Sequence, residues 1–122
     1  MTLEELYTQM GGNYDHAKQI MKMDKLIDKY VRKLKNSDVG TNLAAAAETL
    51  DETGLFESAH AMKGVCANLG LDNIAAAAEE ITEEFRPGNN RTMSDEAVKA
   101  KLQDLSEMYQ NALECIEKYE NS

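Results

Sequence analysis

The 122-residue sequence predicts an all-α protein: an antiparallel up-down four-helix bundle with an N-terminal helical extension. Three observations carry that expectation. Apolar residues recur three and four positions apart along most of the chain, the repeat of helices with one buried face. Valine and isoleucine are few and scattered, and no run alternates apolar with polar residues as a half-buried strand would. Pro87 is the one proline, so only one place forbids a helix outright.

The elements follow in order. Thr2 caps a short helix to about Met10, with Glu5 completing a capping box, and Gly11-Gly12 interrupts it. Asn13 caps the next segment, whose stripe is Ile20, Met23, Ile27, Tyr30 and Leu34. Asp24 is a second candidate cap, which would split this stretch into two helices near Lys22. Asn36 to Gly40 reads as a turn. A helix over 41–52 has Leu43, Ala47 and Leu50 on one face and ends at Thr53-Gly54. The next runs from Leu55 to Leu69, with Gly70 just past its end. Another begins near Asp72, carries Ile74, Ala78, Ile81 and Phe85, and stops at Arg86-Pro87-Gly88. After the polar loop PGNNRT, Ser94 caps the last helix, with Asp95 and Glu96 in its first turn. Its stripe is Val98, Leu102, Leu105, Tyr109, Ala112, Ile116 and Tyr119. Short connections make successive helices antiparallel neighbours. The whole chain reads as one domain, with residues 1–40 a helical cover and residues 41–119 the bundle.

Composition narrows the function. The chain carries 13 basic and 22 acidic residues, a net charge of −9. That excludes general nucleic-acid binding, which needs a cationic footprint, and docking to anionic membrane surfaces. No apolar run approaches the ~20 residues of a membrane span, and the first residues lack the basic and apolar regions of a signal peptide. Cys66 and Cys115 stand far apart, outside any CxxC pattern, and read as small buried hydrophobes. A reduced, cytoplasmic setting is expected. The seven methionines read as core filler, and His16 as a solvated residue.

The stretch AHAMKGVCANLG, residues 59–70, holds the chemistry. The core stripe of its helix is Leu55, Ala59, Met62, Cys66 and Leu69. At about 100° per residue, His60 lies roughly 140° from the centre of that stripe and should face solvent. Lys63 and Gly64 follow at i+3 and i+4, on the same face. An interior glycine costs about 1 kcal/mol relative to alanine, so its presence calls for an offsetting use. With no side chain at Gly64, a bulky reactant or a partner's backbone has room beside the imidazole. Neutral imidazole is a nucleophile that can attack a phosphoryl group and hold it as a phosphoramidate. Lys63 supplies a cation for the phosphoryl oxygens.

Those residues resemble the histidine-containing phosphotransfer (HPt) domain of multistep two-component phosphorelays. The family pattern is a histidine, Lys-Gly three and four positions later, and a glycine ten positions after the histidine. Here these are His60, Lys63, Gly64 and Gly70, and the resemblance runs over roughly residues 41–119. It implies that His60 accepts a phosphoryl group from an aspartyl phosphate on a receiver domain and passes it to another receiver. Lys63 would steady the phosphoryl oxygens and Gly64 would make room. Receivers would dock on an apolar patch around the histidine, with Phe56, Ala67, Thr82 and Arg86 as the contacts. Some relatives hold the imidazole with a glutamine where Thr82 stands, and threonine is shorter. The resemblance also implies that the domain binds no cofactor and that Mg²⁺ sits on the receiver. Its partners would be response-regulator receivers and a hybrid or sensor histidine kinase, with the domain itself a monomer. A neutral or basic patch is expected around Lys63 and Arg86.

No P-loop or other nucleotide loop is present, so a phosphohistidine carrier fits better than a stand-alone kinase. The chain reads as a free-standing shuttle or as a fragment of a hybrid kinase. Two other functions compete. A helical module could dock receivers without transferring phosphate. A carboxylate-rich bundle could bind iron or manganese, and Glu57 and His60 do stand as Glu-x-x-His. Both face outward by the stripe, however, and there is no second such pair.

Overall fold

The computed structural model describes residues 1–122 as seven helices: α1 (Leu3–Met10), α2 (Tyr14–Met21), α3 (Asp24–Leu34), α4 (Val39–Thr49), α5 (Glu52–Asn68), α6 (Asp72–Phe85) and α7 (Asp95–Glu120). The last four form the bundle. α5 packs between α4 and α6, and α7 closes the ring against both α6 and α4. No helix is long and apolar enough to cross a membrane.

The inner stripes set the packing. Leu55, Ala59, Met62, Cys66 and Leu69 of the α5 segment are all buried, against Ile74, Ala78, Ile81 and Phe85 of α6 and Val98 to Ile116 of α7. Burying each large aliphatic side chain contributes about 1.5–3 kcal/mol. Burial also pushes the Cys66 thiol up to about 12, so it behaves as a hydrophobe.

The turn between α5 and α6 is where the N-terminal helices attach. Gly70 sits there at φ +72°, and a Cβ would lie 2.6 Å from the Asn13 carbonyl oxygen. Only glycine meets both conditions. The Gly70 carbonyl accepts from Asn13 N–H at 2.7 Å, and the Leu69 carbonyl accepts from the buried Tyr7 hydroxyl at 2.6 Å. Leu6, Tyr7 and Met10 of α1 are as buried as the bundle core itself. The caps named from the sequence are in place: Thr2, Asn13 and Ser94 accept from the backbone N–H three residues on.

Four expectations need correction. The stripe Ile20, Met23, Ile27, Tyr30, Leu34 does not lie on one face. Lys22 adopts φ +73° and ends α2, so the helix phase restarts at α3. Ile27 and Leu34 stay inside with Val31, while Ile20, Met23 and Tyr30 are exposed. The break near Lys22 is thus real, but Met23, not Asp24, occupies the cap position, and it makes no side-chain bond there. The α4–α5 break falls at Leu50-Asp51, so Thr53 and Gly54 lie in the first turn of α5. Gly54 serves close packing: a Cβ there would lie 2.7 Å from the Asp51 carboxylate and 3.1 Å from the Ala46 methyl. His16 is not simply solvated, because its Nδ1 lies 2.8 Å from Asp72 Oδ1 at the start of α6.

The loop after α6 is ordered by a residue that no apolar pattern reveals. Glu84 is buried, and its carboxylate accepts from the N–H groups of Thr92 (2.9 Å) and Met93 (2.8 Å) and from the Thr92 hydroxyl (2.9 Å). These bonds, the Met93 N–H foremost, hold its carboxyl below the ordinary value of 4.5. The stabilisation they give is therefore complete above pH 4.5 and is lost as pH falls through the lowered native value. Glu84→Gln is expected to cost about 1–3 kcal/mol at neutral pH and less at a pH below the lowered native value, as read by denaturant unfolding at both. An equal cost at the two pH values would show that the carboxylate charge is not what orders the loop.

Candidate functional site

His60 lies mid-way along α5 with its side chain exposed, as the inner stripe requires. The same helix places Glu57, Gly64 and Asn68 on the exposed side, with Phe56, Lys63 and Ala67 half-buried beside them. Gly64 is open: nothing comes within 4 Å of a Cβ built there. The glycine therefore serves no packing need within this chain.

The imidazole lies nearly parallel to the Phe56 ring one turn earlier, with centroids 5.8 Å apart and planes within 10°. The Arg86 guanidinium lies 5.3 Å from the Phe56 ring centroid, within cation–π range. Arg86 is itself anchored to Glu83 Oε1 through Nε at 3.0 Å and a terminal nitrogen at 2.8 Å.

Lys63 points toward α6, where its Nζ lies 3.5 Å from Glu79 Oε2. Both side chains are substantially exposed, and such a pair is worth about 0–1 kcal/mol. An incoming phosphoryl oxygen would compete with Glu79 for the ammonium. The expected neutral or basic patch is not found: Lys63 and Arg86 each have a glutamate partner, and Glu57 adds a third carboxylate on the exposed side of α5.

Two cross-helix contacts mark the α5–α6 register. Lys63 meets Glu79, and seven residues earlier on α5 Phe56 meets Arg86, seven residues later on α6. Antiparallel pairing at that register puts Thr82 level with His60. Its side chain does not reach the site, however. Thr82 is fully buried, and its hydroxyl donates to the Ala78 carbonyl at 2.9 Å. Thr82 is therefore removed from the docking contacts: it belongs to the inner face with Ala78, Ile81 and Phe85. The residues of α6 that flank the histidine face are Glu79, Glu83 and Arg86, spaced four and three apart. The sequence reading named only Arg86. The same helical spacing, applied to the outer seam of α6, would have found the two glutamates.

Comparison with known proteins gives one match: the family model described as the Hpt domain fits residues 2–115. It takes in the three N-terminal helices as well as the bundle. No curated protein and no solved structure matches the chain.

The open space at Gly64 has a measurable consequence. Gly64→Ala is expected to stabilise the fold by about 1 kcal/mol, the helix-propensity difference, because the new methyl meets nothing. Chemical denaturation of the pair reads it directly, and a loss of stability would reveal a contact at this position within the chain.

Proposed function

Because the chain belongs to the Hpt domain family, we propose that it carries a phosphoryl group on His60, taken from an aspartyl phosphate of a receiver domain and delivered to another receiver. The observation that carries this reading is the exposed face where His60, Lys63 and an unobstructed Gly64 stand within one helical turn. The family is one of histidine phosphotransfer in phosphorelays.

The chemistry balances with these groups alone on the acceptor side. The unprotonated ring nitrogen of a neutral imidazole attacks phosphorus. A P–N bond forms as the P–O bond to the donor aspartate breaks, and the aspartate leaves as a carboxylate. The second ring nitrogen keeps its proton, so no base is needed, and the positive ring charge that develops is offset by the phosphoryl oxygens. Lys63 exchanges Glu79 for one of those oxygens. Gly64 admits the donor's backbone to the side of the ring. Phe56, Ala67 and Arg86 form the half-buried rim on which a receiver would rest. Mg²⁺ belongs to the receiver. We place the exchange in the cytoplasm, with receivers and a hybrid or sensor kinase as partners, a setting that suits two free buried cysteines.

The test is phosphorylation by a phosphorylated receiver, beside His60→Gln. Acid-labile, base-stable phosphate on the wild type and none on the variant is expected. Label persisting in His60→Gln would move the acceptor elsewhere. Binding without any label would leave a docking module that transfers nothing.

A further inference from the structure

The phosphotransfer reading leaves one question about His60: what holds its ring. An exposed histidine ordinarily samples several rotamers, and an attacking imidazole must present one nitrogen along the line of the bond being broken. Thr82 is level with His60 but turned into the core, so α6 offers it no hydrogen bond. The one histidine that meets a carboxylate in this chain is His16, not His60. The aromatic neighbour of the His60 ring is Phe56, nearly parallel and offset, 5.8 Å away between centroids.

We propose that Phe56 is a positioning residue for the phosphotransfer reaction, its ring acting as a shelf that fixes the plane of the His60 imidazole. Phe56 packs at the edge of the core and carries the Arg86 guanidinium 5.3 Å from its centroid, and Arg86 in turn donates two hydrogen bonds to Glu83. Stacking limits swings of the imidazole about Cα–Cβ and Cβ–Cγ while leaving its ring nitrogens at the edge, where a phosphoryl group must arrive. A hydrogen-bonded shelf would occupy one of those nitrogens; an aromatic one occupies neither. The assignment rests on His60 being the phosphoryl acceptor. It goes beyond that reading, because Phe56 there was only part of a docking rim.

Positioning and docking separate when the phosphodonor is too small to dock. Phosphoramidate, protonated on nitrogen, transfers its phosphoryl group to imidazole and leaves as ammonia, with no receiver present. The experiment compares wild type, Phe56→Leu and Phe56→Tyr, each checked for helix content by circular dichroism. Phe56→Leu keeps an apolar side chain and loses the flat face; Phe56→Tyr keeps both. For a positioning residue, labelling of His60 by phosphoramidate slows about two- to tenfold in Phe56→Leu, in the range a ring stack supports, and returns in Phe56→Tyr. With a phosphorylated receiver the same loss falls on kcat. If Phe56→Leu labels at the wild-type rate with phosphoramidate, and only KM for the receiver rises, Phe56 is a docking contact and the proposal is overturned. Three-bond couplings of His60 in the unphosphorylated wild type give an answer independent of activity. One dominant χ1 rotamer that becomes averaged in Phe56→Leu supports the shelf, and averaging already present in the wild type overturns it. If neither donor labels the wild type, the phosphohistidine reading fails first, and the positioning role falls with it.

Discussion

Everything at the functional face depends on how α5 and α6 lie against each other. Their inner stripes, Leu55 to Leu69 and Ile74 to Phe85, are buried along their length, and the turn between them is closed at Gly70. A helix has no freedom to bury one face and choose the other independently. Once the Leu55–Ala59–Met62–Cys66 stripe is inside, His60, Lys63 and Gly64 are outside, without any dedicated scaffold. The antiparallel register then brings Glu79 to Lys63 and Arg86 to Phe56. The outer contacts are individually weak. The inner stripe holds them in place.

The N-terminal helices secure the same pairing from its turn. At 1.5 Å per residue the 26-residue α7 is about 39 Å long, against about 16 Å for the 11-residue α4. Much of α7 therefore extends past α4, and α1 and α3 pack against it. Tyr119 of α7 donates to Asp28 of α3 at 2.5 Å, and Asn111 donates to the Gln9 carbonyl of α1 at 3.2 Å. Four contacts from the first sixteen residues converge on the α5–α6 turn: Tyr7 with Leu69, Asn13 with Gly70, His16 with Asp72, and Met10 with Asn73. The segment that carries no phosphotransfer motif thus braces the turn that sets the register of the helix that does. The family match starting at residue 2 agrees with that integration.

Much of this was legible in the sequence, for reasons that also explain the misses. The stripes of α5, α6 and α7 were readable because each is one uninterrupted helix, so spacing maps onto angle. The α2–α3 stripe failed because Lys22 in a left-handed conformation resets the angle, and spacing counted across a break means nothing. His60 was placed correctly by the same arithmetic that was not applied to Thr82. Residues 78, 81, 82 and 85 share one face, and the level of a residue along a helix does not say which way it points. Glu84 was invisible for a different reason. Its partners are backbone N–H groups eight and nine residues on, and loop geometry of that kind leaves no periodic trace. The stack of His60 on Phe56 lies between these cases. Spacing i, i+4 permits it, but only coordinates show that the rings are parallel.

The looseness of the outer contacts suits a group that must be both taken up and given away. A carrier that bound its phosphoryl group through buried, fully paired cations would hold it in a well too deep for onward transfer. Here Lys63, the cation one turn from the histidine on its own helix, already has a partner in Glu79, so the gain on meeting a phosphoryl oxygen is reduced by the pair it gives up. The aromatic shelf adds orientation without adding charge. In the proposed transfer, the chain thus supplies direction and access, through Phe56 and Gly64, and leaves the larger electrostatic stabilisation to whichever receiver is docked.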